Sequence, residues 1–198
     1  MSQRPLTQRL KNFSQTVLSD EWAELSRHEF DYQHSDGRWE RQVREVYDRG
    51  DAIAVLPFDR MRGTVLLLRQ FRLPAFLNGE ERPLIEACAG VIDEDDAKAC
   101  VQREALEELG YRLNRISLAC RAYSSPGSVN ECVWCFTADY TAADKVSEGG
   151  GEVSEGEDIE VLEMSLEDAV ALIASGEITD MKTILLLQHL RLSLISDD

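Results

Sequence analysis

No run of apolar residues in this chain approaches the roughly 18 that a membrane-crossing helix requires, so the sequence offers no membrane span. The N-terminal stretch MSQRPLTQRLKNFSQ has basic residues but lacks the apolar centre and small-residue cleavage site of a secretory signal, which makes the cytoplasm the expected location. Positive charge is scarce. With Asp+Glu 37 against Lys+Arg 21 the formal net charge is -16, and with no basic patch visible a nucleic-acid partner is not expected. Histidine occurs only as His28, His34 and His189, which fit no ligand cluster. The 5 cysteines, at positions 88, 100, 120, 132 and 135, are an odd number set among apolar residues, so they read as reduced, buried small hydrophobes and not as a disulfide framework. Cys132 and Cys135 form one CxxC, yet ECVWCFTADY has the pattern of a strand, in which side chains three apart point to opposite faces. No second CxxC or nearby histidine completes a zinc site.

What is present is an ordinary globular composition, 43% hydrophobic and 29% charged, in 198 residues: enough for one main core and a smaller N-terminal element. HEFDYQHSDGRWERQVREVYDRG alternates like a hairpin about Asp36-Gly37. AIAVLPFD and TVLLLRQFR read as buried strands joined at RMRG, and PLIEACAGVID as a strand running into a loop. DDAKACVQREALEELG places Ala97, Cys100, Val101 and Ala105 at helical spacing and is closed by Gly110. RISLACRAYSS and VNECVWCFTADY follow as strands, then SEGGGEVSEGED as a flexible acidic loop. IEVLEMS is a last strand, SLED caps a helix ending at Gly176, and DMKTILLLQHLRLSLI is a further helix. The expected class is mixed α/β without internal repeats.

The most informative stretch is QREALEELGY. Glu104 and Glu108 are four apart and face the same way, with Glu107 close by, although like charges at this spacing repel by a few tenths of a kcal/mol each. A solvated acidic face is one reading; a set of oxygen ligands for a hard divalent cation is the other.

GVIDEDDAKACVQREALEELGY resembles the Nudix box, Gly-x5-Glu-x7-Arg-Glu-U-x-Glu-Glu-x-Gly-U, with U usually aliphatic. Gly90, Arg103, Glu104, Ala105, Glu107, Glu108, Gly110 and, loosely, Tyr111 match. Gly90 to Arg103 is one residue short, and Asp95 or Asp96 stands in place of the first glutamate. REVYDRGDAIAVLPFD, VLLLRQFRLPAFLNG, LIEACAG, YSSPGSVNE, GEDIEVLEMSLEDA and GEITDMKTILLLQHL extend the likeness over about residues 19 to 191, towards the branch acting on nucleoside diphosphate sugars and within it the GDP-mannose hydrolases.

The resemblance implies an α/β/α sandwich with a mixed sheet over residues 49–198, preceded by an N-terminal β element over 1–48 that forms a homodimer. It implies a magnesium-dependent pyrophosphohydrolase, with Mn²⁺ as a substitute, cleaving GDP-mannose to GMP and mannose 1-phosphate; ADP-ribose is the alternative substrate, and a nucleotide-sugar-binding regulator without turnover is a further alternative. Glu104, Glu107 and Glu108 and the carbonyl of Ala89 are the implied metal ligands. Arg103 is implied to hold the glutamates by ion pairing. The acidic loop offers Glu155, Glu157 and Asp158, of which Glu157 is favoured as ligand or base, making Glu104, Glu108 and Glu157 the catalytic set. Trp22, Arg44, Glu45, Arg69, Arg72, Ala89, Gly90, Val91, Glu131 and Lys182 match substrate-contacting or nearby positions. For Arg69 and Arg72 a strand-end ion pair is the alternative, and for Trp22, placed to reach the partner's nucleobase, packing in the dimer core.

Overall fold

The computed structural model describes residues 5–93, 96–152, 154 and 156–196. The chain divides into two compact units, one of the residues up to Gly50 with Tyr123–Glu131, the other of Asp51–Ala122 with the residues from Cys132 onward.

In the first unit, β1 (Leu10–Asp20), β2 (Glu24–Gln33) and β3 (Trp39–Asp48) form an antiparallel sheet in the order β1-β2-β3. The β2–β3 register runs from Gln33↔Trp39 to Glu24↔Asp48, so the turn lies at 34–38, where Gly37 takes a positive φ. Among the described residues of this unit only Ser26 is buried, while Phe13, Val17, Leu18, Trp22, Trp39 and Val43 are exposed. The sheet therefore has no apolar core of its own.

The second unit is built on a mixed sheet. β4 (Ala52–Asp59) lies beside β5 (Thr64–Gln70) and parallel to β9 (Cys132–Asp139); β10 (Ile159–Ser165) is antiparallel to β5, and β8 (Asn114–Tyr123) borders β9. β4 is buried throughout because both faces of the sheet are covered. Its side chains alternate accordingly: Ala52, Ala54, Leu56 and Phe58 join the core under α3 (Leu166–Ser175) and α4 (Met181–Ser196), whereas Ile53 and Val55 join the core with Cys100, Val101 and Ala105 of α2 (Ala97–Glu104) and its continuation. This is the α/β/α arrangement. Ser165 caps α3 by accepting the Asp168 N–H at 3.0 Å, and Gly176 closes it in the left-handed conformation.

Two local expectations change and one short helix is added. PLIEACAGVID is two strands, β6 (Leu84–Glu86) and β7 (Cys88–Val91), because β4 and β5 pair directly only at Phe58↔Val65 and Asp59↔Thr64. In the gap, β6 pairs with β5 and β7 with β4, and the chain changes partner at Ala87. A short helix, α1 (Leu73–Leu77), starts with Pro74 in its first turn, a position where the missing N–H is harmless. The glutamate-bearing helix does not run as α-helix to Gly110 but becomes a π-helical turn over Ala105–Leu109.

Candidate active site

The π-turn carries Glu107 and Glu108 and ends at Gly110, in the left-handed region that glycine adopts without penalty. Such single-turn widenings concentrate at functional sites. Here it turns Glu108 inward: its residue exposure is 2%, and its carboxylate accepts the Ala89 N–H at 3.2 Å and a hydrogen bond from the Cys88 thiol. Glu104 lies one turn earlier and packs over Gly90, where any Cβ would fall well inside contact distance of its carboxylate. Glycine is required there by this close approach.

Arg103 meets the cluster from the side, with Glu104 at 3.0 Å, Glu107 at 3.2 Å and Asp93 at 3.0 Å. It does not reach Glu108 in any described pair. Burial pushes Glu104 up to about 7, against the pull of Arg103, with Glu107, Glu157 and Asp93 adding repulsion. Burial likewise pushes Glu108 up to about 8, with repulsion from Glu104 and Glu157 added and the Cys88 and Ala89 hydrogen bonds opposing. Two carboxyls are thus held in a place that penalises their charged forms.

The acidic loop is anchored along its first half. Val146 N donates to Gly110 O at 2.8 Å, Gly150 N to Glu108 O at 2.9 Å and Gly151 N to Glu107 O at 3.1 Å, satisfying helix-end carbonyls. Gly149 has a positive φ and so little room that a Cβ would strike the Glu108 backbone. The loop expected to be flexible from 147 to 158 is therefore tied to the carboxylate turn up to Gly151. Glu157 folds back on it, its Oε2 accepting the Glu152 N–H at 2.9 Å. Its charge bears on both Glu104 and Glu108. Asp95 and Glu155 lie outside the described residues, while Asp96 caps α2 through the Lys98 N–H at 2.9 Å and takes no part in the cluster.

Of the cations picked from sequence, Arg72 and Lys182 converge: Arg72 Nε is 2.8 Å from one oxygen of buried Glu86 and Lys182 Nζ is 4.0 Å from the other. Arg69 pairs across the sheet with Glu160 at 2.6 Å, on strands whose register sets these residues opposite each other. Ala89, Gly90 and Val91 lie in β7 beside the glutamates. Trp22, Arg44, Glu45 and Glu131 belong to the first unit; Trp22 is 85% exposed at the β1–β2 turn, and Glu131 pairs with Arg49 at 3.5 Å. Sequence reasoning missed Glu86, Cys88 and Asp93 as partners of the site. Glu86 had one signal, a lone acid inside an apolar strand.

A divalent cation suits this donor set. A nearly fully buried carboxylate with only neutral N–H and S–H donors is costly unless a cation completes it, and all the converging donors are hard oxygens. Among the described residues no three Asp, Glu, His or Cys side chains cage an ion by themselves. An ion there would draw also on backbone carbonyl, water and phosphate oxygens, as magnesium customarily does.

Comparison with known families matches residues 48–187 to the NUDIX domain and residues 9–47 to the GDP-mannose pyrophosphatase NudK N-terminal domain. The chain is 45% identical over 174 residues to the GDP-mannose pyrophosphatase of Pectobacterium atrosepticum, covering 87% of this chain and 89% of that one. It is 42% identical over 182 residues to that of Yersinia pestis, 91% of each chain, and 44% identical to that of Cronobacter sakazakii, 91% and 94%. Among solved structures it shares its fold with an ADP compounds hydrolase, with a TM-score of 0.72 over 95% of this chain and 94% of the other at 18% identity.

Proposed function

The chain belongs to the Nudix hydrolase family, and from that membership we propose that it hydrolyses the pyrophosphate of a nucleoside diphosphate sugar, GDP-mannose, to GMP and mannose 1-phosphate. The observation that carries the reading is buried Glu108, with no cation among its described partners, beside the Arg103-paired Glu104, the two set against Ala89 and Gly90 in a chain whose relatives are named GDP-mannose pyrophosphatases.

Nudix hydrolases act with divalent metal ions. In this chain Glu104, Glu108 and the Ala89 carbonyl would hold such an ion, Mg²⁺ with Mn²⁺ as substitute, and Glu107 and Glu157 would complete the set. When bound, the ion neutralises the pyrophosphate and acidifies water. Glu157 accepts the proton of the attacking water as oxygen attacks one phosphorus and the bond from that phosphorus to the bridging oxygen breaks. Arg103 keeps Glu104 and Glu107 from turning away, a positioning role supported by its two short ion pairs. Arg72 and Lys182, with Arg69 nearby in the same unit, offer positive charge to phosphate in a protein whose net charge would otherwise repel it. Glu86 holds the first two in readiness. Gly90 and Val91 present backbone to the substrate.

The enzyme acts as a homodimer in this reading. Support comes from the first unit, whose sheet among the described residues buries no apolar side chain of its own while exposing Phe13, Val17, Leu18, Trp39 and Val43. Trp22, Arg44, Glu45 and Glu131 of that unit are assigned to the nucleotide and sugar ends, Trp22 by stacking on the partner's base. The expected compartment is the cytoplasm; among the described residues no helix is long and apolar enough to cross a membrane.

The test is release of nucleoside monophosphate from GDP-mannose, GDP-glucose, ADP-ribose and ADP-glucose, with and without Mg²⁺. Magnesium-dependent turnover led by GDP-mannose is expected. A lead for ADP-ribose would keep the chemistry and overturn the specificity; no turnover of any member by folded, metal-supplied protein would overturn both.

A further inference from the structure

At Ala87 the chain leaves the β5 ladder and joins the β4 ladder, so the Ala87 N–H belongs to neither. Ala87 is buried, and an unpaired amide there would be a buried orphan. Thr183, in the first turn of α4 and 0% exposed, supplies the acceptor: its Oγ1 is 2.7 Å from Ala87 N. The Thr183 hydroxyl in turn donates to Asp180 Oδ2 at 2.6 Å, and the same oxygen accepts the Thr183 N–H at 2.9 Å. With its proton committed to the carboxylate, the hydroxyl can only accept from Ala87. The other Asp180 oxygen holds Lys182 Nζ at 2.7 Å.

The fixed amide stands between two halves of the site. One residue before it is Glu86, bridging Arg72 and Lys182; one and two residues after it are Cys88 and Ala89, the two groups that hydrogen-bond to Glu108. We propose that Thr183, oriented by Asp180, is a positioning residue for the metal-binding site: its hydroxyl fixes the strand switch at Ala87 and thereby the seat of Glu108 and the direction of the Ala89 carbonyl. The inference rests on the reading of Ala89 and Glu108 as ligands. Packing alone would need only the shape of the threonine side chain, and two substitutions separate shape from hydroxyl. Thr183→Val keeps the shape and removes the acceptor; Thr183→Ser keeps the acceptor and removes the methyl.

The experiment uses the full chain and measures Mn²⁺ affinity without substrate, by electron paramagnetic resonance of the free ion, beside kcat and KM for GDP-mannose and the thermal midpoint. Thr183→Val should weaken Mn²⁺ binding roughly 10- to 100-fold, the usual effect of losing a group that orients a ligand. It should lower kcat, leave KM for the nucleotide sugar within about twofold, and be matched by near-wild-type behaviour of Thr183→Ser. Should Thr183→Val not fold, Thr183→Cys, with its weaker sulfur acceptor, should fall between the other two. Unchanged Mn²⁺ affinity in Thr183→Val, or equal losses in Thr183→Val and Thr183→Ser, would overturn the positioning role. Glu108→Gln serves as the reference: if it binds Mn²⁺ like the wild type the ligand assignment itself fails, whereas a loss there without one in Thr183→Val sinks the positioning role alone.

Discussion

Replacing Glu108 by Gln should stabilise the metal-free protein, and by more as the pH rises. In the folded chain burial holds this carboxyl up to about 8, against an ordinary value of 4.5 when the chain is unfolded and solvated. Below 4.5 both states are protonated and the side chain costs nothing. Between 4.5 and about 8 the unfolded chain has released the proton while the folded chain still binds it, so stability falls as pH rises; above 8 both are ionised and the penalty is constant. The full separation corresponds to on the order of 4 to 5 kcal/mol, of which roughly 3 kcal/mol accrues between about pH 5 and 7.5. Glutamine has no proton to lose. At about 2–4 °C per kcal/mol for a chain of this size, the Tm advantage of Glu108→Gln in chelator should widen by roughly 6–12 °C over that range. Glu104, raised to about 7 in the same way, gives both proteins a shared downward trend. Adding Mg²⁺ should raise the Tm of the wild type and not that of the variant, because an ion that binds only the native state stabilises it. Thermal melts from pH 5 to 8 with chelator or Mg²⁺ would refute the reasoning if the two proteins ran parallel throughout, or if the variant gained as much from Mg²⁺.

Gly90→Ala should displace Glu104 and lower kcat by about 10² or more while leaving the fold, read by circular dichroism, intact. Arg103→Gln should raise the Mg²⁺ concentration for half-maximal activity by roughly 10- to 100-fold, with Arg103→Lys restoring part of it, as a metal titration of the initial rate will show. Trp22→Ala should change the thermal midpoint little, being a substitution of an exposed turn residue worth about 0.5 kcal/mol or less to the single chain, yet raise KM for GDP-mannose or shift the proposed homodimer to monomer by sedimentation. Gly149→Ala should cost about 1–3 kcal/mol in chemical denaturation and lower activity together, since a Cβ there meets the Glu108 backbone.

Much of the molecule is legible in the chain. Strand β4 announces itself as the apolar run AIAVLPF closed by Asp59, the Ser165 cap by its spacing from Asp168, and the end of the glutamate helix by Gly110. The pairing of Arg103 with Glu107 follows from positions four apart, whereas its contact with Glu104, the adjacent residue, does not follow from helical spacing. The π-turn was not legible, because Ala105–Leu109 reads as good α-helix; its carbonyls are instead claimed by Gly150 and Gly151, some 40 residues away in the chain. Nor was the break at Ala87, which depends on β4 and β5 diverging and not on the composition of LIEACAG.

The sequence by itself determined which groups are available: three glutamates on one helical turn, a glycine at position 90, an acidic glycine-rich loop and a scarcity of positive charge. These follow from identity and short spacing, which local backbone geometry translates directly. The tertiary structure decided which of them matter together. Only packing buried Glu108 while leaving Glu107 half-buried, set Glu86 between Arg72 and Lys182, and brought Thr183 to the Ala87 amide across 96 residues of chain. The physical reason is that desolvation and the meeting of distant side chains depend on what the rest of the chain places around a residue, and no local periodicity encodes that.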